Sequence, residues 1–114
     1  HGMTILQADQ VHAMTADQVA GVIKDVLGDG PSYLTFDIDC LDPATAPGTG
    51  TPVPGGLTSH QALSILRAMK GLDFTGMDVV EVSPPYDPTG ITAVAGAHVA
   101  MEILCLYGWT RRKG

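Results

Sequence analysis

Two periods of hydrophobic and polar positions recur along the chain and predict three strands and three helices. Short apolar runs, typical of buried strands, occupy residues 3–7, 33–36 and 76–83. Apolar residues at spacings of three and four predict helices that begin at Thr15, at Thr58 or Ser59, and near Ile91, the last one ending near Tyr107. The alternation of strand and helix predicts right-handed crossovers and a parallel sheet with helices on both faces.

Carboxylates follow the second predicted strand directly, at Asp37, Asp39 and Asp42. This strand is almost wholly apolar, so it is predicted to be parallel and buried on both faces. Side chains two apart in a strand share a face, which predicts that Asp37 and Asp39 lie side by side. Adjacent carboxylates repel unless a cation lies between them, and their oxygens suit hard ions such as magnesium, calcium or manganese. The alternative is a solvated strand end.

Glu81 lies near the carboxyl end of the third predicted strand. If the two strands are neighbours, Glu81 faces the same crevice as the aspartates, beside the Pro- and Gly-rich loop of residues 43–56. A carboxylate in an apolar strand needs a partner, which is a metal ion, a cationic substrate group such as guanidinium, or a salt bridge to Arg67 or a lysine. Asp87 is predicted to cap a turn.

Composition narrows the class of protein. The 114 residues suffice for one small domain, and the formal net charge of -6 with scattered Lys and Arg argues against nucleic acid as a partner. Two cysteines indicate a reducing compartment such as the cytoplasm, and Cys40 is predicted to be a packed, unreactive thiol. The apolar C-terminal run contains His98 and Glu102, which favours a buried or half-buried helix over a membrane span. The four histidines show no metal-ligand spacing.

Three segments together resemble the signature of the ureohydrolases, which comprise arginases, agmatinases and their relatives. They are FDIDCLDP at residues 36–43, APGTGTP at residues 46–52 and MDVVEVSPPYD at residues 77–87. Within the family, the second and third segments are most similar to agmatinases. Guanidinobutyrases and other agmatinase-like amidinohydrolases are the nearest alternatives.

The resemblance implies an α/β fold, a three-layer αβα sandwich with a parallel sheet, assembled into trimers or hexamers. It also implies a binuclear Mn²⁺ site in which Asp37 bridges both ions and Asp39 ligates one of them. Glu81 would pair with the guanidinium of a small-molecule substrate, and Thr51 would lie in a loop near that substrate. The reaction implied is hydrolysis of agmatine to putrescine and urea.

Two family segments, Gly-Gly-Asp-His and Asp-Ala-His-x-Asp, do not occur in the chain. Since Asp37 and Asp39 cannot complete a binuclear site alone, we expect residues 1–114 to be the C-terminal part of a single ureohydrolase domain and to be inactive in isolation. One rival prediction is a phosphotransferase of the haloacid-dehalogenase type, which Leu41 disfavours because Thr or Val belongs two residues after the second Asp. The non-enzyme alternative is an inactive fragment or assembly partner.

Overall fold

The structure is a computed structural model, and it describes residues 2–112. In these residues four α-helices and two strands follow one another in chain order: α1 (Ala8–His12), α2 (Ala16–Leu27), β1 (Ser32–Asp37), α3 (Ser59–Ala68), β2 (Phe74–Val80) and α4 (Ile91–Arg111). Single 3₁₀ turns directly follow β1 at Ile38–Cys40 and precede α4 at Pro84–Tyr86.

The predicted strand at residues 3–7 is wrong. These residues form neither strand nor helix, and Met3 and Ile5 are mostly exposed. Within the described residues β1 and β2 pair only with each other, so no strand satisfies the backbone of residues 3–7. The sequence analysis also missed α1, because this short helix has no buried residue and therefore no apolar periodicity.

The starts of α2 and α3 follow the polar capping residues that the sequence shows. Thr15 accepts a hydrogen bond from the Gln18 amide at 3.1 Å, and the Gln18 side chain accepts one from the Thr15 amide at 2.9 Å. Thr58 and Gln61 repeat the arrangement at 3.1 and 2.9 Å, so Thr58 rather than Ser59 caps α3. Each pair satisfies two amides that a helix end leaves free.

The two strands are parallel, as predicted, and they are also adjacent, which the sequence left as a condition; Thr35 lies opposite Asp78 and Asp37 opposite Val80. Leu34, Phe36, Met77 and Val79 alternate toward the hydrophobic core, against which the helices pack. On the other face Tyr33 and Thr35 are exposed, and both of their hydroxyls donate hydrogen bonds to Asp78, at 2.6 and 2.5 Å. The prediction that β1 is buried on both faces is therefore wrong for the described chain, because helices cover only one face.

Helix α4 extends four residues beyond the predicted end near Tyr107. Its length and mean hydropathy of 1.5 would by themselves suffice to cross a membrane. One side of the helix, however, packs against β2 and α3 through Gly96, Val99, Ile103 and Leu106. This packing agrees with the prediction of a partly buried helix.

The loop of residues 43–56 closes back onto the end of β1. Leu41 and Leu57 form a parallel bridge, in which the Leu57 amide donates to the Cys40 carbonyl at 2.9 Å and the Asp42 amide donates to the Leu57 carbonyl at 2.8 Å. A Cβ atom at Gly56 would lie 2.7 Å from the Asp42 amide nitrogen and 2.8 Å from the Cys40 carbonyl oxygen. Only glycine allows this approach of two backbone segments.

We therefore expect Gly56→Ala to destabilise the protein by roughly 1–3 kcal/mol, because the added methyl overlaps fixed backbone atoms. The matched control is Gly50→Ala in the same loop, where a Cβ meets nothing within 4 Å. The control should change the free energy of unfolding by less than about 0.5 kcal/mol. Urea denaturation of both variants is the measurement, and equal stabilities would contradict the close approach.

Candidate functional site

The carboxylates of Asp37 and Asp39 lie together where β1 ends. The strand stops at Asp37 and the chain turns into the 3₁₀ helix that carries Asp39, whose amide donates to Asp37 Oδ1 at 3.0 Å. Asp37 and Asp39 therefore do not alternate along one strand as predicted, although the two residues lie close together as expected. Burial raises the pKa of Asp37, and the charges of Asp39 and Glu81 raise it further, against the lowering effect of the Asp39 amide.

Glu81 directly follows β2 and lies near Asp37 and Asp39, since its charge contributes to the raised pKa of Asp37. These three carboxylates are called the acidic group. Its φ of 67° makes it the one non-glycine residue with positive φ among residues 2–112. The side chain is exposed and makes no hydrogen bond or ion pair within that range. The salt bridge to Arg67 considered from the sequence is absent, since Arg67 pairs with Glu102 of α4. A strained, unpaired carboxylate beside two others is typical of a functional position.

Thr51 joins these acids from the Pro- and Gly-rich loop. Its hydroxyl Oγ1 donates a hydrogen bond to Asp39 Oδ2 at 2.7 Å. The four residues singled out in the sequence, Asp37, Asp39, Thr51 and Glu81, are thus linked at one end of the two-stranded sheet through this bond and through the charges that act on Asp37.

Asp42, the third acid of the stretch, holds the loop instead of facing the acidic group. Its two carboxylate oxygens accept hydrogen bonds from the amides of Ala44 and Gly55, at 2.8 and 2.9 Å, and these bonds lower its pKa. His12 contacts the same point of the loop, with Nε2 2.8 Å from the Gly55 carbonyl oxygen, so Nε2 is the donor. The contact between His12 and Gly55 was not predicted from the sequence, because these two residues are 43 positions apart.

Asp87 caps a turn as predicted and also the start of α4. The carboxylate is 5% exposed and accepts hydrogen bonds from the Thr89 hydroxyl at 2.6 Å and the Thr92 amide at 2.6 Å. These bonds, the Thr89 hydroxyl first, lower the pKa of Asp87 to about 2. Thr92 in turn accepts a hydrogen bond from the Gly48 amide at 2.7 Å, which ties the start of α4 to the loop.

The donor set can be tested against the metal ions that the sequence analysis expects. Asp37 Oδ2 and Asp39 Oδ1 accept no hydrogen bond from residues 2–112, and the repulsion between the two carboxylates is of the kind that a cation relieves. Carboxylate oxygens fit a hard divalent ion. Across the described residues, no group of three or more His, Cys, Asp or Glu is arranged to hold one. The two aspartates thus fit as part of a ligand set.

Cys40 lies next to these acids but is chemically quiet. Burial raises the pKa of its thiol to about 12, and the charges of Asp37 and Asp39 add to the effect. Cys40 packs against the hydrophobic core, in agreement with the prediction of a packed thiol, and its lack of reactivity stays a prediction.

Comparison with known proteins identifies consistent relatives. The model of the arginase family matches residues 1–106. An agmatinase of Photorhabdus laumondii is 56% identical over 112 residues, which cover 98% of this chain and 36% of that protein. The crystal structure of a hypothetical agmatinase from Burkholderia thailandensis is 56% identical, has a TM-score of 0.90, and is matched over 93% of this chain and 34% of its own.

A second solved structure, the proclavaminate amidino hydrolase of Streptomyces clavuligerus, is 42% identical with a TM-score of 0.93, over 96% of this chain and 36% of its own. The chain thus spans about a third of the length of the relatives it matches. The arginase-like α/β fold expected from the sequence is confirmed by these structures.

The two cysteines are expected to differ sharply in reactivity. At pH 8 a thiol of pKa about 12 is ionised in roughly one molecule in ten thousand, so Cys40 should resist a disulfide reagent until the protein unfolds. Cys105, which is exposed on α4, should react within minutes. Thiol titration of the native protein and of a Cys105→Ser variant checks this, and fast modification of the variant would contradict a packed Cys40.

The low pKa of Asp87 predicts a pH dependence of stability. Because its folded pKa of about 2 lies below the ordinary value of 3.8, its carboxylate stabilises the fold fully above about pH 4, and this stabilisation is lost as the pH falls through 2. We expect Asp87→Asn to lower Tm above pH 4, with the difference shrinking between pH 4 and 2. Asp25→Asn, at an exposed position without hydrogen bonds in the described chain, is the matched control for thermal melts. A difference that persists to pH 2 would exclude the carboxylate charge as its cause.

Proposed function

The chain belongs to the arginase family, and on that premise we propose that the protein it forms is a manganese-dependent amidinohydrolase acting on agmatine. Water would attack the guanidinium carbon of agmatine, and the bond between this carbon and the alkyl nitrogen would break, giving putrescine and urea. The observation that carries the proposal is the convergence of Asp37, Asp39 and Glu81 at the carboxyl ends of two adjacent parallel strands.

Asp37 and Asp39 are proposed as metal ligands, with Asp37 shared between two ions. Burial is the main cause of the raised pKa of Asp37, and the neighbouring charges of Asp39 and Glu81, which a cation would offset, add to it. When bound, manganese would supply a Lewis acid and lower the pKa of water. The remaining ligands would come from outside these 114 residues, which we propose to be the C-terminal part of one ureohydrolase domain.

Glu81 is proposed to bind the guanidinium. This group is a planar cation whose N–H donors match the two oxygens of a carboxylate. Glu81 has both oxygens free of hydrogen bonds within residues 2–112, and its left-handed backbone fixes where the side chain leaves β2. Held there, the carboxylate would orient the guanidinium carbon toward the edge that carries Asp37 and Asp39.

The other parts of the proposal rest on similarity to agmatinases. We propose agmatine, and not 4-guanidinobutyrate, as the substrate, because several curated relatives of 55–58% identity carry the name agmatinase. A guanidinobutyrase or another agmatinase-like amidinohydrolase is the second candidate, because the 42% identical proclavaminate amidino hydrolase is a similar protein named for a substrate other than agmatine. We further propose a cytoplasmic homo-oligomer, a trimer or hexamer, with no nucleic-acid or membrane partner.

We expect Asp37→Asn and Glu81→Gln to lower urea release from agmatine at least about 100-fold, since each removes a charge at the reacting centre. The two should differ in manganese affinity, which Asp37→Asn weakens and Glu81→Gln leaves unchanged. Glu102→Gln is the matched control, because Glu102 contacts Arg67 away from the acidic group. Its activity should stay within about twofold of the unsubstituted protein.

All variants are made in the longer protein that this proposal requires, since residues 1–114 alone are expected to be inactive, and urea release is measured with agmatine, 4-guanidinobutyrate and arginine in parallel, with manganese present. Turnover of 4-guanidinobutyrate alone would select the second candidate. The coding sequence immediately upstream of His1 supplies an independent check, since the domain proposal requires Gly-Gly-Asp-His and Asp-Ala-His-x-Asp in frame there. A protein whose gene lacks both segments, and which releases no urea from any of the three substrates, would support the non-enzyme alternative instead.

A further inference from the structure

We propose that Thr51 is a positioning residue, which holds the carboxylate of Asp39 in the orientation that a bound cation requires and does not itself bind the substrate. This inference rests on the proposed function, since it takes Asp39 as a metal ligand. The resemblance implies that Thr51 lies in a loop near the substrate, and here its role is assigned toward Asp39.

The hydrogen bonds within the acidic group support this role. Asp37 is oriented through Oδ1 by the amide of Asp39, and Asp39 is oriented through Oδ2 by the hydroxyl of Thr51. A hydroxyl has one proton, and Thr51 gives it to Asp39 at 2.7 Å, a length typical of a bond to a charged oxygen. Within residues 2–112 no other group donates to the Asp39 carboxylate, so its orientation depends on Thr51.

The loop holds Thr51 in place from both directions. Three residues before it, the amide and carbonyl of Gly48 bond to Thr92 and Ser83, each at 2.7 Å. Four residues after it, Gly55 bonds through its amide to Asp42 and through its carbonyl to His12. Because the chain is anchored on both sides, the hydroxyl is already placed beside Asp39 before any cation binds.

This arrangement leaves one free oxygen on each aspartate, Oδ2 of Asp37 and Oδ1 of Asp39, for an ion. Partners that orient ligands to a metal in this way typically change its affinity 10–100-fold when they are removed. Losing the Thr51 hydroxyl would free the Asp39 side chain to rotate away from Asp37, since their charges repel.

The test is made in the longer protein that the proposed function requires, and it compares Thr51→Val, which keeps the side-chain shape without the hydroxyl, with Thr51→Ser, which keeps the hydroxyl. The affinity for Mn²⁺ is measured from the free-ion signal in electron paramagnetic resonance, and KM for agmatine is measured at saturating Mn²⁺. Thr51→Val should weaken Mn²⁺ binding about 10–100-fold with KM unchanged, and Thr51→Ser should restore binding to within about threefold. Thr45→Val is the matched control, because the Thr45 hydroxyl makes no hydrogen bond among residues 2–112.

Each other outcome contradicts a different statement. Unchanged Mn²⁺ affinity in Thr51→Val, or a raised KM at saturating Mn²⁺, would overturn the positioning role and leave the proposed function intact. Absence of Mn²⁺ binding by the unsubstituted protein would overturn the proposed function and this inference with it. A Thr51→Val protein that fails to fold leaves Thr51→Ser as the test, where a 10-fold loss of affinity would contradict the proposal.

Discussion

The parallel pairing of β1 with β2 is the contact on which the rest of the site depends. Its register sets Asp37 opposite Val80, so both strands end at the same level and the residues that follow them, Asp39 and Glu81, leave the sheet together. Three carboxylates are thereby held near one another; burial is the main cause of the raised pKa of Asp37, and the charges of Asp39 and Glu81 add to it. The core formed by Phe36, Val79 and the helices supplies the packing that keeps this pairing in register.

The loop of residues 43–56 is the second structural layer of the site. It contains almost no regular structure, yet it is tied to the end of β1, to the start of α4 and to α1 by hydrogen bonds. Asp42 serves this purpose directly, because its carboxylate accepts bonds from the amides of Ala44 and Gly55. Asp87 acts through Thr92, whose amide donates to it and whose hydroxyl accepts a bond from the Gly48 amide of the loop. Acids of the same segment therefore divide into structural and chemical roles according to whether local donors already satisfy their oxygens.

The described residues form a two-stranded sheet of which only one face is covered. One face of β1 and β2 is packed, whereas Tyr33, Thr35 and Asp78 form a hydrogen-bonded cluster on the exposed face. The same incompleteness applies to the site, where two aspartates offer free oxygens but no group of three or more His, Cys, Asp or Glu within residues 2–112 is arranged to hold a metal ion. A functional site is assembled from segments that are distant in sequence. A chain about a third as long as its relatives is therefore expected to contain only part of the site.

The sequence by itself determined the starts of α2, α3 and α4, the parallel direction of β1 and β2, and the candidate functional residues, since caps, periodicity and acids at strand ends are local patterns. It could not determine that residues 3–7 lack a strand, because an apolar run becomes a strand only with a partner. It misjudged the geometry of Asp39, since the turn after Asp37 is not encoded in alternation. The contacts of Thr51 with Asp39 and of His12 with Gly55 join residues 12 and 43 positions apart, so only the tertiary structure decided them.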